Sequence, residues 1–255
     1  MEVPAMFDLS SKVALVSGAS RGIGAETAEI LAEFGAHVIL TSRKAENLEA
    51  VQAHIKNAGN QASSMVCHNG DLAQIELLFE KIHEKHGRLD ILVNNAATNP
   101  FYGSVLEADE KAWDKTLAVN LKGPFFMSQH AAGLMRKNGG GSIVNVSSIN
   151  GRIPMLNQSI YSITKAALIS MTQAFAKELG PDTIRVNALL PGLTDTKFAS
   201  ALTQNDELMQ QVLQQIPLGR IAQPSEMSGM VLFLVSAAAS YITGSTFTVD
   251  GGMLA

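Results

Sequence analysis

Short aliphatic and β-branched runs alternate along the chain with longer stretches whose apolar positions recur every three or four residues. The runs at 13–17, 37–41, 63–67, 90–94, 142–147, 184–190 and 246–250 predict strands. The stretches at 22–34, 44–58, 71–86, 109–137, 159–179 and 224–236 predict helices. Several runs, Val13-Ala14-Leu15-Val16 among them, are apolar at consecutive positions instead of alternating. A strand reads that way when helices cover both of its faces, as in a parallel sheet. The pattern therefore predicts an α/β fold, a doubly wound parallel sheet of about seven strands flanked by helices. Gly139, Gly140 and Gly141 close a helix and open a strand, and no low-complexity linker or internal repeat divides the chain. The expectation is one domain over residues 1–255. Segment 194–220 holds helical pieces without a strand and is expected to form a substrate lid.

Composition narrows the class. Of 255 residues 46% are hydrophobic and 16% charged, against a usual charged share of about 25%, so a large core is expected. Nineteen basic and 23 acidic side chains give a net charge of −4, which leaves no surplus of cations for a nucleic-acid partner. A single cysteine, Cys67, forms neither an internal disulfide nor a zinc cluster, and is expected to be a small buried hydrophobe. A reducing, cytoplasmic setting follows as the expectation. The most apolar stretch, 230–239, is ten residues long, short of the roughly 20 that span a membrane. His83 and His86 share a helix face but have no evident third ligand, so no metal site is expected.

Two local patterns carry chemistry. Ser17-Gly18-Ala19-Ser20-Arg21-Gly22-Ile23-Gly24 follows the first predicted strand and opens the first helix. Glycines there allow a tight turn and a close backbone approach, and the helix start offers free N–H groups to a pyrophosphate. Tyr161 and Lys165 stand four apart at the start of a predicted helix, on one face of it. A phenol of pKa near 10 is a poor acid–base group at neutral pH, and a neighbouring ammonium would lower that value. Thirteen residues before Tyr161, Ser148 closes a predicted strand whose end points into the crevice where parallel sheets bind ligands.

With these residues in order, the chain resembles the short-chain dehydrogenase/reductases from Lys12 to Gly252. The resemblance rests on Gly18, Gly22 and Gly24, on Asn94-Asn95-Ala96, on Val119-Asn120-Leu121-Lys122-Gly123, on Ser148 and on Tyr161-x-x-x-Lys165. Pro191-Gly192-Leu193-Thr194-Asp195-Thr196 and Asp250-Gly251-Gly252 complete it. Cys67-His68 and Asn99-Pro100-Phe101 make it similar to the carbonyl and retinal reductase subgroup. The resemblance implies a Rossmann fold and a hydride transfer between a nicotinamide and a carbonyl or alcohol carbon. Tyr161 would give or take the proton, Lys165 would tune Tyr161 and hold the nicotinamide ribose, Ser148 would orient the carbonyl, and Asn120 would support a proton relay. Ser147 is the rival to Ser148, disfavoured only by pointing to the other face of the strand. The implied cofactor contacts are Gly18, Ser20, Arg21, Gly22, Ile23 and Gly24, then Asn95 and Ala96, then Pro191, Gly192, Leu193, Thr194 and Thr196, with Tyr161 and Lys165. A homotetramer, packed through the stretches 109–137 and 159–179 and the last strand, is implied as well.

The family pattern breaks twice. Ala97 stands where a glycine is usual, and His68 stands where an acid contacting adenine is expected, with the Asn69 backbone beside it. The second strand ends Leu40-Thr41-Ser42-Arg43-Lys44, with no acid before Glu46. An NAD site needs that acid for the ribose 2′-hydroxyl, whereas Ser42, Arg43 and Arg21 suit a 2′-phosphate. NADP is therefore the expected cofactor and NAD the less favoured one. Phe101, Tyr102, Phe198, Leu202, Met209, Val212, Leu213 and Ile216 point to a largely apolar small-molecule carbonyl or alcohol as substrate. Two alternatives stand beside this reading. A non-catalytic dinucleotide sensor has no need of Asn120, Ser148, Tyr161 and Lys165, and a 3-oxoacyl-[acyl-carrier-protein] reductase calls for a basic patch where only scattered Lys and Arg occur.

Overall fold

The computed structural model describes residues 4–196 and 206–255. All seven predicted strands form: β1 Val13–Ser17, β2 His37–Ser42, β3 Ala62–Val66, β4 Ile91–Asn94, β5 Gly141–Val146, β6 Ile184–Pro191 and β7 Thr246–Val249. They make one parallel sheet in the order β3-β2-β1-β4-β5-β6-β7. The chain runs outward from β1 to β3, then returns to the other side of β1 with β4. That reversal opens a crevice above the carboxyl ends of β1 and β4, where an open α/β sheet binds its ligand.

The helices are α1 Gly22–Glu33, α2 Glu46–Asn57, α3 Leu72–His86, α4 Glu110–Leu117, α5 Gly123–Lys137, α6 Ser159–Leu179, α7 Asp206–Leu213 and α8 Ser225–Val235. Their apolar faces explain the consecutive hydrophobic positions of the strands. Ala14 and Val16 of β1 join Leu31, Val51 and Val231 in a core beneath α1, α2 and α8. Val13 and Leu15 point the other way, into a core with Ile75, Met127 and Leu179 from α3, α5 and α6. Both faces are covered, so a polar position on either would be buried.

The predicted helix over 109–137 is instead two helices joined by a π turn at Ala118–Lys122. The Gly123 N–H reaches back to the Ala118 carbonyl across the widened turn. Gly123 also lies so close to the Asn69 carbonyl that any Cβ there would collide with it. Of the expected lid at 194–220, Phe198 and Leu202 lie outside the described residues. Its later part packs on the chain end, where Leu218 N–H donates to the Gly251 carbonyl at 3.1 Å. Among the described residues no helix is long and apolar enough to cross a membrane.

Candidate active site

The glycine loop lies between β1 and α1 as predicted, and the structure shows what shapes it. Ser17 ends β1, and its hydroxyl accepts the N–H groups of Asn95 and Ala96 at 3.0 and 3.1 Å. The Asn95 side chain donates to the carbonyls of Ser17 and Gly18 at 3.0 and 3.2 Å. Asn95 and Ala96 thus hold the turn in shape, with Asn95 spending its carboxamide on the loop itself. Gly18 has φ +68°, and a Cβ there would stand 2.8 Å from the Ala96 Cα. A Cβ on Gly24 would collide with the Gly18 carbonyl. Only glycine fits both positions.

Ser20, Arg21, Gly22 and Ile23 carry the chain into α1, whose first residue follows an extended Arg21 with no side-chain cap. The orphan N–H groups of that helix start are left for an anion. Pro191, Gly192, Leu193 and Thr194 leave β6 as a strap held down at several points. Gly192 N–H donates to Val249, Ala222 N–H to Leu193, and Asp195 N–H to Ala222. The strap ends with Thr196 over the glycine loop, its methyl 3.1 Å from where a Gly22 Cβ would stand. An uncapped helix start, a loop whose glycines leave room at Gly18, Gly22 and Gly24, and a strap across it together fit a dinucleotide pyrophosphate.

Farther along the crevice, an open cleft of about 830 Å³ is lined by Arg43, Val66, His68, Gly70, Asp71, Leu72, Gln74 and Lys122. Two cations therefore flank it. The one carboxylate there, Asp71, is already engaged: it caps α3 by accepting the Gln74 N–H at 3.2 Å and the Gln74 side chain at 2.8 Å. The His68 ring takes the Gly70 N–H at 3.0 Å, which fixes its orientation at the cleft. Asn69 beside it is buried, and its side-chain nitrogen has no partner among the described residues. The Ser42 hydroxyl donates to the Lys44 carbonyl at 3.0 Å and so shapes the turn that presents Arg43. Lys122 belongs to a motif legible in the sequence, and it lines the cleft from the end of the π turn. Cys67 is buried next to these residues, and desolvation pushes its thiol up to about 11.

The carboxyl end of β5 separates the two serines. Ser147 turns inward and donates to the Lys165 carbonyl at 2.8 Å. Ser148 accepts the Asn150 N–H at 3.1 Å and hydrogen-bonds the Tyr161 side chain. Tyr161 and Lys165 sit one turn apart on α6, both buried, with the ammonium 5.4 Å from the centre of the phenol ring. Lys165 Nζ donates to the Val146 carbonyl at 2.7 Å. Burial pushes Tyr161 up to about 12, against a downward pull from the Ser148 hydrogen bond, and pushes Lys165 down to about 7. Burial thus outweighs the downward pull on Tyr161, and Lys165 is not among the causes of its shift. Desolvation penalises the phenolate and the ammonium alike, and a lysine near 7 has surrendered much of its charge.

Asn120 sits at the centre of the π turn, buried, with its carboxamide paired to the Thr98 backbone. It donates to the Thr98 carbonyl at 2.9 Å and accepts the Thr98 N–H at 2.8 Å. It also reaches the Thr164 hydroxyl at 3.3 Å, next to Lys165. Thr98 and Thr164 were not singled out from the sequence. Thr98 contributes only its backbone, which no residue pattern could reveal. Ala97 adjoins this pair, half-buried, in the segment where glycine is usual.

The comparisons agree with this geometry. A family model described as enoyl-(acyl carrier protein) reductase matches residues 18–254. Dehydrogenase/reductase SDR family member 4 of Homo sapiens is 42% identical over 244 residues, covering 96% of this chain and 88% of the relative. A short-chain type dehydrogenase/reductase from Mycobacterium marinum superimposes with a TM-score of 0.92 at 35% identity, covering 97% of each chain. A gluconate 5-dehydrogenase from Burkholderia cenocepacia, in complex with NADP and tartrate, gives 0.94 at 30% identity over 98% of each chain. By sequence, by fold and by the serine, tyrosine and lysine gathered at the end of β5, the chain belongs to the short-chain dehydrogenase/reductase family and is an NAD(P)-dependent oxidoreductase.

Proposed function

We propose that this chain interconverts a largely apolar ketone or aldehyde and its alcohol with NADP(H). The observation that carries the reading is the hydrogen bond between Tyr161 and Ser148, in a buried site with Lys165 behind the phenol. A bound nicotinamide supplies or accepts the hydride. The protein's part is position and protons. A substrate carbonyl takes the place between the two hydroxyls, so Ser148 orients it and Tyr161 donates its proton to the oxygen, or removes it from an alcohol. Lys165, when protonated, stabilises the phenolate left behind. Asn120 fixes the Thr98 segment and reaches the α6 turn that bears Lys165, which suits the relay role expected of it. Gly18, Ser20, Arg21, Gly22, Ile23, Gly24, Ala96 and the strap from Pro191 to Thr196 would hold the pyrophosphate and nicotinamide ends, and His68 and Asn69 the adenine end.

NADP is favoured over NAD by charge. Arg43 and Lys122 flank the outer cleft, and its one carboxylate is spent on a helix cap, so a 2′-phosphate meets cations and no free acid. Guanidinium grips phosphate through paired hydrogen bonds as well as charge. Catalytic efficiency should favour NADPH over NADH in the wild type, and Ser42→Asp with Arg43→Ala should reverse that order. A wild type that prefers NADH, or a double variant with unchanged preference, would refute the assignment. The remaining elements of the reading are a cytoplasmic homotetramer and a lid within 194–220 that closes on the substrate. The exposed Phe125 ring and its neighbour Phe175, on the facing surfaces of α5 and α6, support the assembly.

A further inference from the structure

Three carboxamides on three separate segments meet beside the reacting groups. Gln158 immediately precedes α6 and stands one helical turn before Tyr161. Its side-chain oxygen accepts from Asn99 Nδ2 at 3.4 Å and from Asn150 Nδ2 at 3.3 Å. Asn99 follows Thr98, the residue paired with Asn120, and Asn150 donates its backbone N–H to the Ser148 hydroxyl. Gln158 is thereby tied to both loops that border the site. Two donors on one oxygen also fix which way the carboxamide points. Its Oε1 faces the asparagines, and its Nε2 group is directed away from them.

That Nε2 group has no hydrogen-bond partner among the described residues. Nor is it enclosed: the buried polar atoms without a partner lie elsewhere, Ser162 Oγ among them, and Gln158 itself is half-buried. A donor held in orientation by two neighbours, open to solvent and one turn from Tyr161, is built to meet an acceptor. We infer that Gln158 is a specificity residue whose Nε2 group donates to a second substrate oxygen, α or β to the carbonyl that Tyr161 protonates. This deepens the proposed carbonyl reduction and rests on it. The favoured substrates are then dicarbonyls, hydroxyketones and 3-oxo esters, apolar elsewhere against Phe101 and Tyr102. A simple ketone would cover the Nε2 group with alkyl carbon and leave it without water or acceptor, which disfavours that ketone.

The test uses matched pairs: 2,3-butanedione with 2-butanone, and ethyl acetoacetate with 2-hexanone, each reduced with NADPH. A second carbonyl raises electrophilicity by itself, so the quantity read is the change in the kcat/KM ratio within a pair between wild type and variants. Loss of one neutral hydrogen bond should lower that ratio about fivefold to tenfold in Gln158→Leu. Gln158→Glu keeps an acceptor oxygen for Asn99 and Asn150 but has no donor, and should lose the preference equally. A ratio unchanged in both variants, or restored by glutamate, overturns the inference and leaves carbonyl reduction standing. The ratio is internal to each preparation, so partial misfolding cancels from it, and the glutamate variant serves if the leucine variant fails to fold. A wild type that reduces no member of either pair refutes the carbonyl reading and this inference together.

Discussion

Tyr161 and Lys165 are moved in opposite directions by one cause, the loss of water around both. The phenol is held neutral, while the ammonium becomes easy to discharge. Replacing Tyr161 by Phe keeps the ring packing and removes the proton, so turnover should fall about 10²–10⁴-fold with little change in Tm. Steady-state rates and a melting curve check both halves. The lysine also predicts a pH effect. Its folded value, about 7, lies below its ordinary value of 10.5. The unfolded chain therefore binds the extra proton between those limits, and stability rises with pH across that window. Wild-type Tm should accordingly gain more between pH 7 and pH 9.5 than the Tm of Lys165→Met, and equal gains would contradict the assignment. Reduction should weaken as pH rises past about 7, because the ammonium that steadies the new phenolate is lost.

At the scale of elements, the strands were legible because each is a short apolar run, and their alternation with helices predicted a parallel sheet, whereas the strand order came only from the structure. The long helix was not legible as two. Its apolar period continues through Asn120, and a π turn adds a residue per turn without a composition of its own. That turn carries Asn120 to Thr98 and sets Lys122 at the outer cleft. Gly123 makes it possible by letting the chain touch the Asn69 carbonyl. Gly123→Ala should therefore drive α5 from the β3–α3 loop and cost about 1–3 kcal/mol, read as a Tm several degrees lower. An unchanged Tm would show that the loop yields freely. The glycine loop was legible in the sequence, but its brace by Ser17 and Asn95 was not, since those bonds join positions far apart in the chain.

For the whole molecule, the faces of α5 and α6 away from the sheet leave a groove of about 600 Å³ lined by Leu121, Phe125, Met171 and Phe175. An exposed Phe125 ring beside a half-buried Phe175 is costly in water and favourable against a second copy. The proposed homotetramer predicts a light-scattering mass about four times the 27.1 kDa chain at micromolar concentration. Phe125→Glu with Phe175→Asp should reduce that mass, because burying two carboxylates in an apolar interface is expensive. A wild-type mass near that of one chain would defeat the assembly.

The sequence by itself determined the α/β class, the parallel sheet and the glycine turn, and named the residues of the proposed acid–base set. Each of these is a local pattern: a period, a spacing, or a residue type at a strand end. Strand alternation already favoured Ser148 over Ser147, and tertiary structure decided what each meets, because the packing of α6 against β5 gives the Ser147 hydroxyl the Lys165 carbonyl and leaves Ser148 to Tyr161. It also decided the sign of the pKa shifts, which depend on burial from all sides and not on the four-residue spacing. The same holds for Gln158. Its two partners come from the loop after β4 and the turn after β5, and only the folded chain brings them to one oxygen.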